Sequence, residues 1–187
     1  MAAFDSVRSF RKLAYNNALA NVRLYRACAA LLPGEFEARR MSFFPSIKAT
    51  LNHILTVDWF YVDALEGGTL GLKAFDIEEP YDRLDELSRE QADVDRRLIV
   101  FCEALTPETA VRIVDIQREG RIQRERADDV LNHLFQHQTH HRGQVHAMLA
   151  GSSVAPPQLD EFIVSDDARF RGEELAALGW DETKLMR

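Results

Sequence analysis

The sequence predicts an all-α protein: a four-helix bundle with a small β-hairpin before its last long helix and a C-terminal tail. Three observations carry this. Four long segments place apolar side chains at spacings of three and four, the period of an amphipathic helix. Proline and glycine punctuate the chain between those segments. One further stretch sets β-branched residues on both sides of a glycine, which reads as a hairpin. Four such helices with mostly short connections can bury their apolar stripes only against one another, and a bundle is the result.

The first helix is expected over residues 9–32, "SFRKLAYNNALANVRLYRACAALL", where Leu13, Leu19, Val22, Tyr25 and Leu31 recur on one side and Pro33–Gly34 ends the run. The second opens at "PSIKATLNHILTVDWFYVDALEGG". Pro45 suits a first helical turn, and Gly67 with Gly68 stops the helix just after Leu65. The third lies in "YDRLDELSREQADVDRRLIVFCEALTPE", with Leu84, Leu87, Val94, Leu98 and Phe101 inward and a break at Pro107. "VRIVDIQREGRIQRE", residues 111–125, supplies the partly exposed hairpin. Asp128 or Asp129 then caps a fourth helix that lasts until Gly151. From Ser152 the tail opens with "VAPPQLDEF", which cannot be helical at its prolines, and closes with a short helix at "EELAALG". Residues 1–151 therefore read as the bundle, and 152–187 as an extension packing on it or on a partner copy.

Composition bounds the function. At 187 residues, 46% hydrophobic and 28% charged, the chain is one domain with a real core, hiding roughly 70% of the surface its unfolded form exposes. A net charge of −7 argues against a nucleic-acid partner, which calls for a basic face. Charges every few residues in "MAAFDSVRSFRKLAYN" argue against a signal peptide or a membrane span, so a cytoplasmic protein is expected. Cys28 and Cys102 match no zinc or redox spacing and read as small core residues.

The chemistry is concentrated in "HLFQHQTHHRGQVH". Residues 133–146 hold five of the six histidines, and His133 to His141 alone hold four, where an even spread would put about 0.3 in nine residues. On a helix, His133, His137 and His141 form a ladder on one face, while His140 and His146 point elsewhere. Side chains one turn apart can both reach a metal about 2.1 Å from each ring nitrogen. All three cannot easily share one ion, because two turns rise roughly 11 Å. Two ligands come from the ladder and a third must come from another helix, where the one remaining histidine is His53 in "TLNHILTVDWFY". Alone, His53 would read as a hydrogen-bonded core residue; the cluster makes a metal site the better reading.

These segments, "NHILTVDWFY" and "LNHLFQHQTHHRGQVHAMLAGSSVAPPQLDEF" above all, resemble the DinB family, also called the DinB/YfiT-like metalloenzymes, from roughly Tyr15 to Phe162. The run from His137 to Gln144, H-x-x-x-HRGQ, is the most specific part. The resemblance implies an up-down-down-up bundle, often a homodimer, associated with the DNA-damage response and holding one divalent ion on His53, His137 and His141. It places His133 beside the ligands rather than among them.

Around that triad, Arg142 reads either as a clamp for a substrate carboxylate or as a surface or interface ion pair, and Gly143 as a point of close helix approach. Gln144 either lines the pocket or packs. Asp58 is a candidate to orient a ligand imidazole, and Trp59 to wall a substrate pocket, against core packing for the aromatic run. Zinc, nickel and ferrous iron suit three imidazoles about equally. Three neutral ligands leave the ion's charge uncompensated and a coordination position open, as in catalytic sites. Gln138 follows His137, so the glutamate base of H-E-x-x-H proteases is missing and peptide hydrolysis is disfavoured. The resemblance implies a metal-dependent S-transferase using a low-molecular-weight thiol. A hydrolase using metal-bound water and a non-catalytic, stress-related metal-binding protein are the alternatives.

Overall fold

The structure, a computed structural model, describes residues 5–160 and 164–187; Glu161 and Phe162, at the end of the DinB-like stretch, lie outside the described residues. Four long helices dominate: α1 (Arg8–Ala29), α2 (Ile47–Leu65), α3 (Leu84–Glu103) and, after a one-turn α4 (Pro107–Ala110), α5 (Ala127–Leu149). Between α4 and α5 stands the hairpin of β1 (Ile113–Arg118) and β2 (Arg121–Arg126). It pairs Ile113 with Arg126 through Arg118 with Arg121 and turns at Glu119–Gly120, where Gly120 takes a positive φ of 67°. Val114 and Ile116 are buried and Ile113 and Ile122 exposed, the half-wet pattern expected of it.

Contacts between named residues give the helix directions. Tyr15 donates to Glu103, and Asn21, further along α1, donates to Asp95, earlier in α3, so α1 and α3 run antiparallel. Gln91 donates to Asp58 and Arg97 to Glu66, which makes α2 and α3 parallel neighbours. His53 meets His137 while Tyr61 meets His133, so α2 and α5 are antiparallel. The result is the up-down-down-up bundle. Parallel neighbours require a crossover, and residues 66–83 supply it. It is tied down where Tyr81 N donates to Asn52 Oδ1 at 3.0 Å and Asn52 Nδ2 donates back to Tyr81 O at 2.9 Å.

Two helix starts differ from expectation. Pro45 lies outside the second helix: Ser46 is its N-cap, with the side-chain oxygen accepting from Ala49 N. α5 starts at Ala127 with neither aspartate as cap. The hairpin feeds straight into it, Ala127 N being satisfied by Arg112 O, and Asp128 and Asp129 fall in the first turn, where negative charge favours the helix dipole.

The core is one cluster in which Leu19, Leu24, Ile47, Leu51, Leu55, Leu65, Leu87, Leu131 and Leu149 are fully buried. Cys28 and Cys102 are free and buried in it, and burial raises both thiols to about 12, as inert core residues require. After α5 the chain crosses back over α1 and ends in α6 (Gly172–Ala177), at the "EELAALG" stretch, and α7 (Glu182–Met186). Arg23 of α1 grips Glu174, and the Trp180 ring stands edge-on to Tyr15 at 4.9 Å. Among the described residues no helix is long and apolar enough to cross a membrane.

Candidate metal centre

α2 and α5 pass each other so that His53 faces His137 and His141, one turn apart on α5. A ligand atom from each lies within 4.8 Å of the others, and the Nε2 atoms of His53 and His137 are 3.0 Å apart. Both orientations follow from helix geometry: an i, i+4 pair stacks on one face, and an antiparallel partner puts a single residue opposite the gap.

The three rings are prepared as neutral ligands. Burial, with the neighbouring imidazoles, lowers His53 to about 4 and His137 to about 3, and burial also lowers His141. Near neutral pH their lone pairs are free, with no proton to expel before a cation binds. His141 Nδ1–H donates to Gln144 Oε1 at 2.8 Å, which leaves its Nε2 as the lone-pair nitrogen. Gln144 in turn donates through Nε2 to His140 Nε2 at 3.1 Å. His137 Nδ1 is buried with no partner among the described residues. Three neutral imidazoles whose ring nitrogens converge this closely are the donor set that a divalent ion takes.

The Phe44 ring covers the cluster, 4.2 Å from His53 and 5.5 Å from His141 between centroids. Only the α1–α2 connection could bring it there, and nothing in its local sequence marks it. His133 is exposed, 6.1 Å from His137 and 5.0 Å from Tyr61, beside the cluster and outside the ligand set. Trp59 packs on Tyr81 at 6.2 Å, and it is Tyr61 that turns toward the histidines, because the two residues sit some 200° apart on α2.

The residues flanking the triad take other roles than expected. Arg142 is neither on the surface nor in the histidine pocket. It is buried, donating to Asn17, to Asn21 at 3.2 Å and to Gln138 at 3.1 Å. A residue one step beyond a ligand points about 100° away, here into the bundle axis. Asp58 touches no imidazole; its Oδ2 accepts from Gln91 at 2.7 Å and from Gln138. Gly143 is exposed and meets no other helix, so close approach does not account for it. His146 has a use that sequence did not reveal, contacting Pro157 O at 3.1 Å and tying the tail to α5.

Gln144 thus holds the His141 ring in the tautomer that metal binding through Nε2 would need. Gln144→Leu should keep the fold and weaken divalent-metal affinity by about tenfold to a hundredfold, as loss of an outer hydrogen bond to a ligating histidine does. Competition against a chromophoric chelator measures it, and unchanged affinity would remove Gln144 from this role.

The sequence profile of the DinB family matches residues 5–174. Protein DinB of Bacillus subtilis is 28% identical over 160 residues, covering 78% of this chain and 88% of its own. In fold, the chain is similar to the crystal structure of a DinB-like protein of Bacillus cereus, with a TM-score of 0.56 and 16% identity over 74% of this chain and 89% of that one. A DinB-like protein of Bacillus subtilis gives 0.53 and 14%, covering 78% of this chain and 96% of its own. With the whole bundle inside the matched profile and three histidines gathered where its second and last long helices cross, the chain belongs to the DinB family.

Proposed function

We propose that this protein is a divalent-metal-dependent cytoplasmic enzyme that transfers or uses a low-molecular-weight thiol. The observation that carries the reading is the three-imidazole cluster itself: three neutral protein ligands and, among the described residues, no acidic or thiolate ligand beside them. Such a donor set leaves the cation's charge uncompensated and a coordination position open, the pattern of reactive rather than closed structural sites. When bound, the ion would supply a positive charge that favours thiolate over thiol near neutral pH.

The chain's own residues provide the rest. Gln144 fixes the His141 ring, and Phe44 shields one side of the cluster from water. Next to Gln144 opens a cleft of about 520 Å³ lined by Arg40, Met41 and Met148. Its size suits a small peptide-like thiol, and Arg40 offers a positive group for a carboxylate on it. A hydrolytic reading lacks such support: Gln138 stands where a carboxylate base would be, and Asp58 is turned to the bundle interior.

Cobalt substitution tests this. Adding glutathione, bacillithiol or mycothiol to the cobalt-loaded protein should produce the intense sulfur-to-metal charge-transfer band of thiolate ligation. Cobalt-treated His141→Ala should show none. No band with any thiol would end the thiol reading and return the site to the hydrolase or the non-catalytic alternative.

Family membership also supports a homodimer. Sedimentation equilibrium should give a mass near twice the 21.4 kDa of one chain. A single species at the monomer mass at working concentration would reject it.

A further inference from the structure

From the histidines a line of side chains runs along the α2–α5 seam to the hairpin. Between ring centroids His133 lies 6.1 Å from His137 and Tyr61 5.0 Å from His133, and Arg118 Nη2 of β1 donates to the Tyr61 hydroxyl at 3.4 Å. Tyr61 is two turns beyond His53 on α2, so this end of the line is roughly 12 Å from the triad. The Arg40 cleft lies at the other end of the histidine ladder, past Gln144.

Arg118 is held flat and left charged. Its guanidinium lies 4.6 Å over the centroid of the buried Phe60 ring, and its Nε donates to Gln123 Oε1 at 2.8 Å. Of the five N–H donors of an arginine, Gln123 and Tyr61 take two; the others have no partner among the described residues. No carboxylate among those residues pairs with it. Asp115 pairs with Arg124 and Asp128 with Arg126, Glu125 accepts from Gln123, and Glu119 in the turn makes no ion pair. The ladder sets Arg118 directly opposite Arg121, a like-charge pair that is destabilising by itself and that an anion between them would relieve. Beside Arg118, where Gly71 of the crossover packs so closely on Gln117 of β1 that a Cβ would meet it at 2.6 Å, opens a cleft of about 320 Å³ that Lys73 and Thr69 also line. Three cations without a carboxylate thus gather at one corner of a chain whose net charge is −7. The planar fork of arginine matches carboxylate and phosphate alike. We infer that this corner binds an oxyanion, and that the compound meeting the thiol at the metal is an elongated organic acid whose carboxylate or phosphate rests on Arg118. For the metal end this inference rests on the thiol reading above; for the anion end it rests on the hairpin and the crossover alone.

Mercapto acids of different length probe both ends at once. On the cobalt-loaded full-length protein, ω-mercaptooctanoate should give the sulfur band at about tenfold lower concentration than ω-mercaptooctanol, the worth of a hydrogen bond between charged groups. β-Mercaptopropionate is too short to reach Arg118 from the metal. Arg118→Gln should therefore erase the preference for the long acid over the long alcohol and leave β-mercaptopropionate unchanged, while Arg118→Lys, which keeps the charge, should retain part of the preference. If the Arg118 variants fail to fold, Lys73→Gln, on the exposed crossover, should weaken the long acid severalfold and spare the alcohol. Equal binding of long acid and long alcohol, or a preference indifferent to these variants, would overturn the inference while the band itself upheld the thiol reading. If no thiol gives a band, that reading falls and the anion site is decided separately, by following the Arg118 Nε–H resonance of the cobalt-free protein during titration with acetate and with inorganic phosphate. A saturable shift supports the site, the tighter of the two ions naming the kind of acid it takes; no saturable shift with either overturns it.

Discussion

Purified wild-type protein should carry about one divalent ion per chain, and His137→Ala and His141→Ala should each lose it. The expected size follows from ligand number. Zinc sites with a full ligand set bind with about 10–16 kcal/mol, so one ligand is worth on the order of 3 kcal/mol, about a hundredfold or more in affinity. A site that starts with three protein ligands keeps two, and dialysis should then empty it. His133→Ala and His140→Ala, whose rings lie beside the cluster, should keep the metal. Mass spectrometry of the metal content decides, and stoichiometric ion in both triad variants would refute the centre. The pH dependence has a definite sign. The folded rings titrate near 4 and 3 against an ordinary 6.5, so between those values the unfolded chain binds more protons than the folded one. This contribution to stability is present above pH 6.5 and is lost as pH falls through the lowered values. Proton competition for the lone pairs accordingly sets in at lower pH than it would for exposed histidines.

Much of this centre was legible because helical spacing is local. Positions 137 and 141 must share a face on any helix, and the helix itself announced its period and its stop. His53 became a ligand candidate by elimination among six histidines, a favour of composition. What could not be read depends on contacts across the bundle. Phe44 reaches the cluster from a connection with no periodicity to fix its direction. Arg142 looked like a surface or substrate-facing cation because its partners, Asn17 and Asn21, are more than a hundred residues away. A signal was nonetheless present. Asn17 and Asn21 on α1, Gln91 and Asp95 on α3, and Gln138 and Arg142 on α5 are all polar pairs at i, i+4. Three helices each breaking an apolar face in the same way need a common polar centre, since a single buried pair would stay unsatisfied. Asp58, buried among apolar residues of α2, supplies the fourth side.

That centre leads to the second large effect: relative to Asp58→Asn, wild-type protein should lose stability as pH rises from 6 to 8. Asp58 and Asp95 are both buried, with one buried arginine between them. Asp95 is the better supported, accepting from Asn17, Asn21 and Gln91, and burial raises it to about 6. Asp58 accepts only from Gln91 and Gln138, its Oδ1 has no partner among the described residues, and burial together with the Asp95 charge raises it to about 8. The proton therefore rests on Asp58 near neutral pH. Gln91 Oε1 is also an unpartnered buried acceptor, so a hydroxyl on Asp58 brings a donor to a pair that lacks one. Between pH 3.8 and about 8 the folded chain holds a proton that the unfolded chain has released, and stability falls as pH rises, by at most about 1.4 kcal/mol per pH unit. The amide that Asp58→Asn introduces would keep an oxygen for Gln91 and Gln138 and offer N–H in place of the acid proton at every pH, so the variant's profile lacks this slope. Urea unfolding of both proteins at pH 6 and 8 reads the difference, and the histidines cancel because they are common to both. Infrared spectroscopy adds a direct check: wild type at pH 7 should show a protonated-carboxyl stretch that Asp58→Asn removes. Parallel stability profiles, or the same stretch in both proteins, would place the proton elsewhere and leave Asp58 ionised beside Arg142.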